Sequence, residues 1–116
     1  MRVLVIDDNE DMRELIRYIL VDQGFEVDTA ANGALGLESQ RRSAAEIVIT
    51  DIFMPEVDGL ETLMTLRREF PHTKIIVISG RAADYLPSAE ALGAAKTFTK
   101  PFSLDALAAA VRELVS

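Results

Sequence analysis

Glu46-Ile47-Val48-Ile49-Thr50-Asp51-Ile52-Phe53-Met54-Pro55 is the stretch on which the reading of this 116-residue chain turns. Ile47, Val48 and Ile49 form a short β-branched apolar run, the composition of a buried strand. The run ends on a carboxylate, and Pro55 with Asp58-Gly59 then opens a loop. Burying a charge without a partner is expensive, so Asp51 is poor core material. It serves either as a turn residue or as a group at the mouth of a cleft. The ends of the other strands decide between the two.

Working outward, Val3-Leu4-Val5-Ile6 is a continuous apolar run that stops at Asp7-Asp8. Lys74-Ile75-Ile76-Val77-Ile78 stops at Ser79-Gly80, and Thr97-Phe98-Thr99 leads into Lys100-Pro101. Residues 25–29 alternate apolar and charged side chains, as an edge strand does. Helical spacing fills the gaps. Asn9 or Asp8 caps a first helix with Met12, Leu15, Ile16, Ile19 and Leu20 on one stripe and Gly24 as its stop. A second helix covers Gly33–Arg42, weakened by Gly36 and carrying Leu35 and Leu37. Asp58 caps a third, through Leu63, Leu66 and Phe70, which Pro71 closes. A fourth lies around residues 84–92, with Pro87 in its first turn and Gly93 at its end. Ser103 caps the last, with Leu104, Leu107, Ala108, Val111 and Val115 on one face.

Strand and helix thus alternate five times, with no repeat, linker or low-complexity segment. This predicts one α/β domain over residues 1–116, a parallel sheet covered by helices on both faces. In such a sheet the C-terminal ends of all strands share one edge, where ligands bind. Asp7, Asp8, Asp51, Ser79 and Lys100 are therefore expected to converge there.

Composition narrows the function. Twelve basic against nineteen acidic residues give a formal charge of −7, which disfavours direct nucleic-acid or anionic-membrane binding. With no cysteine there is no disulfide framework, thiol nucleophile or thiolate metal site. The opening apolar run is too short for a signal segment and no run approaches a membrane span, so a cytoplasmic protein is expected. His72, Arg41-Arg42 and Arg67-Arg68 read as surface, and Met12 and Met64 as helix packing.

Three carboxylates in one cleft repel one another unless a cation balances them. Oxygen ligands without His or Cys suit a hard divalent ion, Mg²⁺ first, which readily shares its shell with a phosphoryl group. Ser79 offers such a group a hydrogen-bond donor and Lys100 a compact positive charge. An aspartate facing a metal-bound phosphoryl group can itself be the nucleophile.

Asp7-Asp8, Asp51 with Met54-Pro55 and Asp58-Gly59, Ser79, and Lys100-Pro101-Phe102 stand in this order after successive strands. The pattern resembles the receiver domain of two-component response regulators over nearly the whole chain. The resemblance implies a flavodoxin-like, doubly wound five-stranded sheet of order 2-1-3-4-5 with five helices, for which receivers are themselves a standard example. It further implies Asp51 as phosphoacceptor, and Asp8, Asp51 and the Phe53 main-chain carbonyl as Mg²⁺ ligands, with Asp7 acting through water. Lys100 and Ser79 would bind the phosphoryl group. The implied partner is a sensor histidine kinase or a histidine phosphotransfer protein, with an output domain or target outside this chain. Such a domain is a switch rather than an enzyme, supporting its own phosphoryl transfer and slow autodephosphorylation.

Two departures from the family pattern involve three positions. Thr97 stands where an aromatic switch residue is usual, and Phe98 beside it should point inward. Phe53 and Arg81, two residues after Asp51 and Ser79, sit where receivers tune dephosphorylation. Two other readings use the same residues. A Mg²⁺-dependent aspartyl-phosphate phosphohydrolase would want a second carboxylate where Phe53 stands. A non-phosphorylated interaction module would not need all five polar residues. Dinucleotide binding would want glycines where Asp7-Asp8-Asn9-Glu10 stands.

Overall fold

Each apolar run becomes a strand; the first and last strands stop just before Asp7 and Lys100, whereas the third and fourth end on Asp51 and Ser79. The structure is a computed structural model and describes residues 1–51, 59–79, 91 and 93–115. The strands are β1 (Arg2–Ile6), β2 (Glu26–Ala30), β3 (Ile47–Asp51), β4 (Lys74–Ser79) and β5 (Lys96–Thr99). All pair in parallel, in the order β2-β1-β3-β4-β5. Four helices lie among the described residues: α1 (Glu10–Asp22), α2 (Gly33–Arg42), α3 (Gly59–Glu69) and α4 (Leu104–Val115). Of the helix expected around residues 84–92, only Ala91 is among the described residues, and the expected Asp58 cap lies outside them. No helix among the described residues is long and apolar enough to cross a membrane.

Strand alternation divides the core between the two faces of the sheet. Val3, Val5, Ile47, Ile49, Ile76 and Ile78 pack against Ile16 and Leu20 of α1 and Leu107, Ala108 and Val111 of α4. On the other face Leu4, Ile6, Val48, Ile75 and Val77 meet Leu63 and Leu66 of α3, with Leu37 of α2 at the margin. Burying both faces explains why the strands read as unbroken apolar runs. Phe98 packs into the first cluster, as its place in the strand required, and its ring lies 6.1 Å from that of Phe102.

The helix termini follow local chemistry. The Asn9 side chain accepts from the Met12 N–H at 3.0 Å, so Asn9 rather than Asp8 caps α1. Ser103 Oγ accepts from the Ala106 N–H at 3.1 Å at the start of α4. Gly24, with φ of 96°, turns the chain out of α1 in the left-handed region that glycine tolerates best.

Four expectations need correction. Leu15 is 51% exposed and lies with Tyr18 and Val21 on the outer side of α1, because the sheet covers a narrower arc than the five-residue stripe. Met64 is likewise 51% exposed, since its neighbour Leu63 takes the inward direction. Arg67 is not a solvated surface residue: half-buried, it donates to the carbonyls of Pro71 and Thr73, each at 3.2 Å. Gly36 is a requirement rather than a weakness, because a Cβ there would stand 2.3 Å from Ile6 Cδ1 and 2.7 Å from Ile6 Cγ1. Helix propensity alone would make Gly36→Ala favourable by about 1 kcal/mol. Overpacking against the fully buried Ile6 should outweigh that, leaving a net loss of about 1–2 kcal/mol. Urea unfolding checks this, and a variant at least as stable as the parent would show that Ile6 can move aside.

Candidate functional site at the carboxyl edge of the sheet

Strand register sets the geometry of the site. Ile6 is level with Thr50, so Asp7 and Asp51 leave neighbouring strands at the same height. Asp51 is level with Ile78, and Ser79 with Thr99, so Ser79 and Lys100 follow one step beyond on the next strands. The Asp7 N–H extends the sheet by one bond, 3.1 Å to the Ala30 carbonyl. The Lys100 N–H does the same on the other side, 2.9 Å to the Ser79 carbonyl.

Asp7, Asp8 and Asp51 each bring a carboxylate oxygen within 4.8 Å of the other two. Asp7 and Asp51 are buried, 1% and 3% exposed, whereas Asp8 opens to solvent. Lys100 closes the group: its Nζ is 2.7 Å from Asp51 Oδ2 and 3.4 Å from Asp7 Oδ2. Ser79 is fully buried at the end of β4. The five polar strand-end residues thus gather on one edge, as the alternation of strands and helices required. Thr97 is half-buried within β5, level with Val77. Phe53 and Arg81 lie outside the described residues.

Electrostatics follow from that burial. Loss of water raises the Asp7 carboxyl above its ordinary range, and the nearby Asp51 adds to the rise. The Asn9 N–H, 2.9 Å from Asp7 Oδ1, and Lys100 oppose the shift without cancelling it. For Lys100 burial works against the charged ammonium, but the hydrogen bond to Asp51 and the attraction of Asp51 and Asp7 prevail, so its pKa rises. Lys100 thus pairs with two buried carboxylates while a third stands at the rim, and a site of this kind attracts a further cation. All-oxygen donors with no nitrogen or sulfur ligand fit Mg²⁺.

Two contributions were absent from the sequence reading. The Asn9 main chain holds Asp7 Oδ1, and Arg13 Nη1 donates to the Asp7 carbonyl at 2.8 Å. The first had a legible signal, since an aspartate side chain commonly accepts the main-chain N–H two residues on, here that of Asn9. The second had none, because it depends on a side chain reaching back from the second turn of α1.

Residues 3–112 match the family model of the response regulator receiver domain. The chain belongs to that family. The receiver is 34% identical over 118 residues to the chemotaxis protein CheY of Bacillus subtilis, covering 99% of this chain and 98% of that protein. It is 35% identical over 113 residues to the transcriptional regulatory protein DltR of Streptococcus agalactiae, covering 97% of this chain but 50% of DltR. This receiver thus spans about half the length of that relative. Among solved structures, a receiver domain protein from Clostridium thermocellum superposes with a TM-score of 0.91 at 28% identity, covering 98% of this chain and 93% of the other. The response regulator TrrA of Thermotoga maritima, solved in complex with Mg²⁺-BeF, gives 0.88 at 33% identity, covering 97% of each chain. The flavodoxin-like receiver fold and a place in two-component signalling follow from these likenesses.

Proposed function

We propose that this receiver is a phosphorylation-dependent switch in which Asp51 accepts one phosphoryl group in a Mg²⁺-dependent reaction. The observation that carries the proposal is the contact between Lys100 Nζ and Asp51 Oδ2 at 2.7 Å inside the Asp7, Asp8 and Asp51 cluster. An Asp51 carboxylate oxygen attacks phosphorus, forming the new P–O bond. The bond from phosphorus to the donor breaks, and its electron pair leaves with the donor. Lys100 then pairs with the phosphoryl oxygens, and the Ser79 hydroxyl donates to one of them. Asp8, Asp51 and the Phe53 carbonyl would hold Mg²⁺ directly and Asp7 through water, and the bound ion would neutralise charge on the phosphoryl oxygens. The ion found with TrrA supports this reading.

The donor is proposed to be a phosphohistidine on a sensor kinase or phosphotransfer protein, and the output a domain or target beyond this chain. As a switch the domain takes up phosphate stoichiometrically and loses it slowly. Intact-mass measurement with acetyl phosphate tests the proposal. One added phosphoryl group with Mg²⁺ and none with excess chelator supports it. Continuous turnover of an external phosphate ester would favour the phosphohydrolase, and no uptake at all the interaction module.

Lifetime is proposed to depend on Phe53. Hydrolysis needs water in line with the Asp51–phosphorus bond, and a phenyl side chain offers that water no hydrogen bond. Phe53→Asn should speed phosphate release about tenfold, equivalent to about 1.4 kcal/mol of barrier. A release time course on loaded protein checks this, and an unchanged rate would return Phe53 to simple packing.

A further inference from the structure

The Asp7 carbonyl stands where the sheet runs out, because the pairing of β1 with β3 ends at Ile6 and Thr50. Arg13, half-buried on α1, turns its guanidinium back across the first turn and donates from Nη1 to this oxygen at 2.8 Å. Two other bonds meet at the same residue, from the Asp7 N–H to the Ala30 carbonyl at 3.1 Å and from the Asn9 N–H to Asp7 Oδ1 at 2.9 Å. The N–H, carbonyl and carboxylate of Asp7 are each held by a different element: β2, α1 and the cap of α1. The peptide plane between Asp7 and Asp8 is thereby fixed, and with it the directions in which the two acidic side chains leave the chain.

We infer that Arg13 is a positioning residue for the acidic cluster, holding the Asp7 carbonyl so that Asp7 and Asp8 present their carboxylates together with Asp51. The inference rests on the proposed Mg²⁺ reading of that cluster. Its sign separates it from plain electrostatics. Removing a positive charge beside a cation site should tighten cation binding by Coulomb's law. Removing a support that orients the ligands should weaken it, commonly by tenfold or more.

The experiment is a Mg²⁺ titration of the 116-residue chain followed by amide chemical shifts, for wild type, Arg13→Ala and Arg13→Lys. Urea unfolding without Mg²⁺ runs in parallel. Arg13→Ala should raise the Mg²⁺ dissociation constant about tenfold. Arg13→Lys, which keeps one donor and the charge, should bind closer to wild type than to Arg13→Ala. Unchanged or tighter Mg²⁺ binding by a folded Arg13→Ala would overturn the inference, whatever its stability. A folded Arg13→Lys as weak as Arg13→Ala would overturn it also, since the restored donor should recover the orientation. Absence of Mg²⁺ binding in wild type would overturn the metal reading itself, a result distinct from a failure of Arg13 alone.

Discussion

Asp51→Asn should lose phosphoryl uptake by about a hundredfold or more under conditions that load the wild type fully. An amide oxygen shares its lone pair with the neighbouring nitrogen and carries no net charge, so it attacks phosphorus poorly. Neither remaining carboxylate replaces it. Asp7 is buried, hydrogen-bonded by the Asn9 N–H, and raised in pKa by loss of water. Asp8 opens to solvent at the rim rather than against Lys100. The substitution should not lower the unfolding midpoint, because it removes one of two buried like charges and leaves Lys100 paired with Asp7. Intact mass and thermal unfolding of the same samples check both halves. Uptake by a folded Asp51→Asn near the wild-type level would contradict the assignment.

Lys100→Ala should show the other large effect, on stability rather than on chemistry alone. Without Lys100, the buried Asp7 and Asp51 face each other with no ammonium between them. Breaking a buried ion pair from one side costs about 3–5 kcal/mol. Lys100 is 26% exposed, so solvent screens part of its effect and a loss nearer 2 kcal/mol is expected at neutral pH without Mg²⁺. The pH dependence has a definite sign. A carboxyl raised above its unfolded value holds a proton in the folded state that the unfolded chain has released. Its unfavourable contribution is therefore absent below the unfolded value near 3.8 and develops as pH rises through the folded value. Loss of Lys100 removes a group that lowers the Asp7 pKa, so the deficit of Lys100→Ala should shrink as pH falls. Saturating Mg²⁺ should shrink it as well. Denaturant unfolding across pH, with and without Mg²⁺, measures all of this. A deficit that stays constant would mean that Lys100 stabilises through packing.

Much of this arrangement was legible because its causes are local. Val3 to Ile6, Ile47 to Ile49 and Ile75 to Ile78 are apolar runs that a doubly covered sheet demands, and each gives way, the second after buried Thr50, to the residue that reaches the site. The caps at Asn9 and Ser103 are equally local. Features set by distant neighbours were not legible. Gly36 reads as a helix defect until Ile6 is seen against it. Gln40 carries no core signal in its own sequence context, yet it is fully buried, donating to the Ala45 carbonyl at 3.0 Å and to Thr73 Oγ1 at 3.2 Å. Leu15 and Met64 fit helical spacing but miss the arc that the sheet covers. The contact of Arg13 with the Asp7 carbonyl depends on how one side chain folds back over a turn, which spacing does not encode.

The central claim is that one particular carboxylate among three accepts the phosphoryl group. Borohydride reduces an acyl phosphate and leaves free carboxylates untouched, so it marks the acceptor permanently. The measurement is therefore to load the protein with acetyl phosphate and Mg²⁺, reduce it, digest it, and locate the reduced position by peptide mass spectrometry. Reduction of Asp51 to homoserine, with Asp7 and Asp8 unmodified, is the predicted result. Reduction at Asp7 or Asp8 in protein that has taken up one phosphoryl group would contradict it.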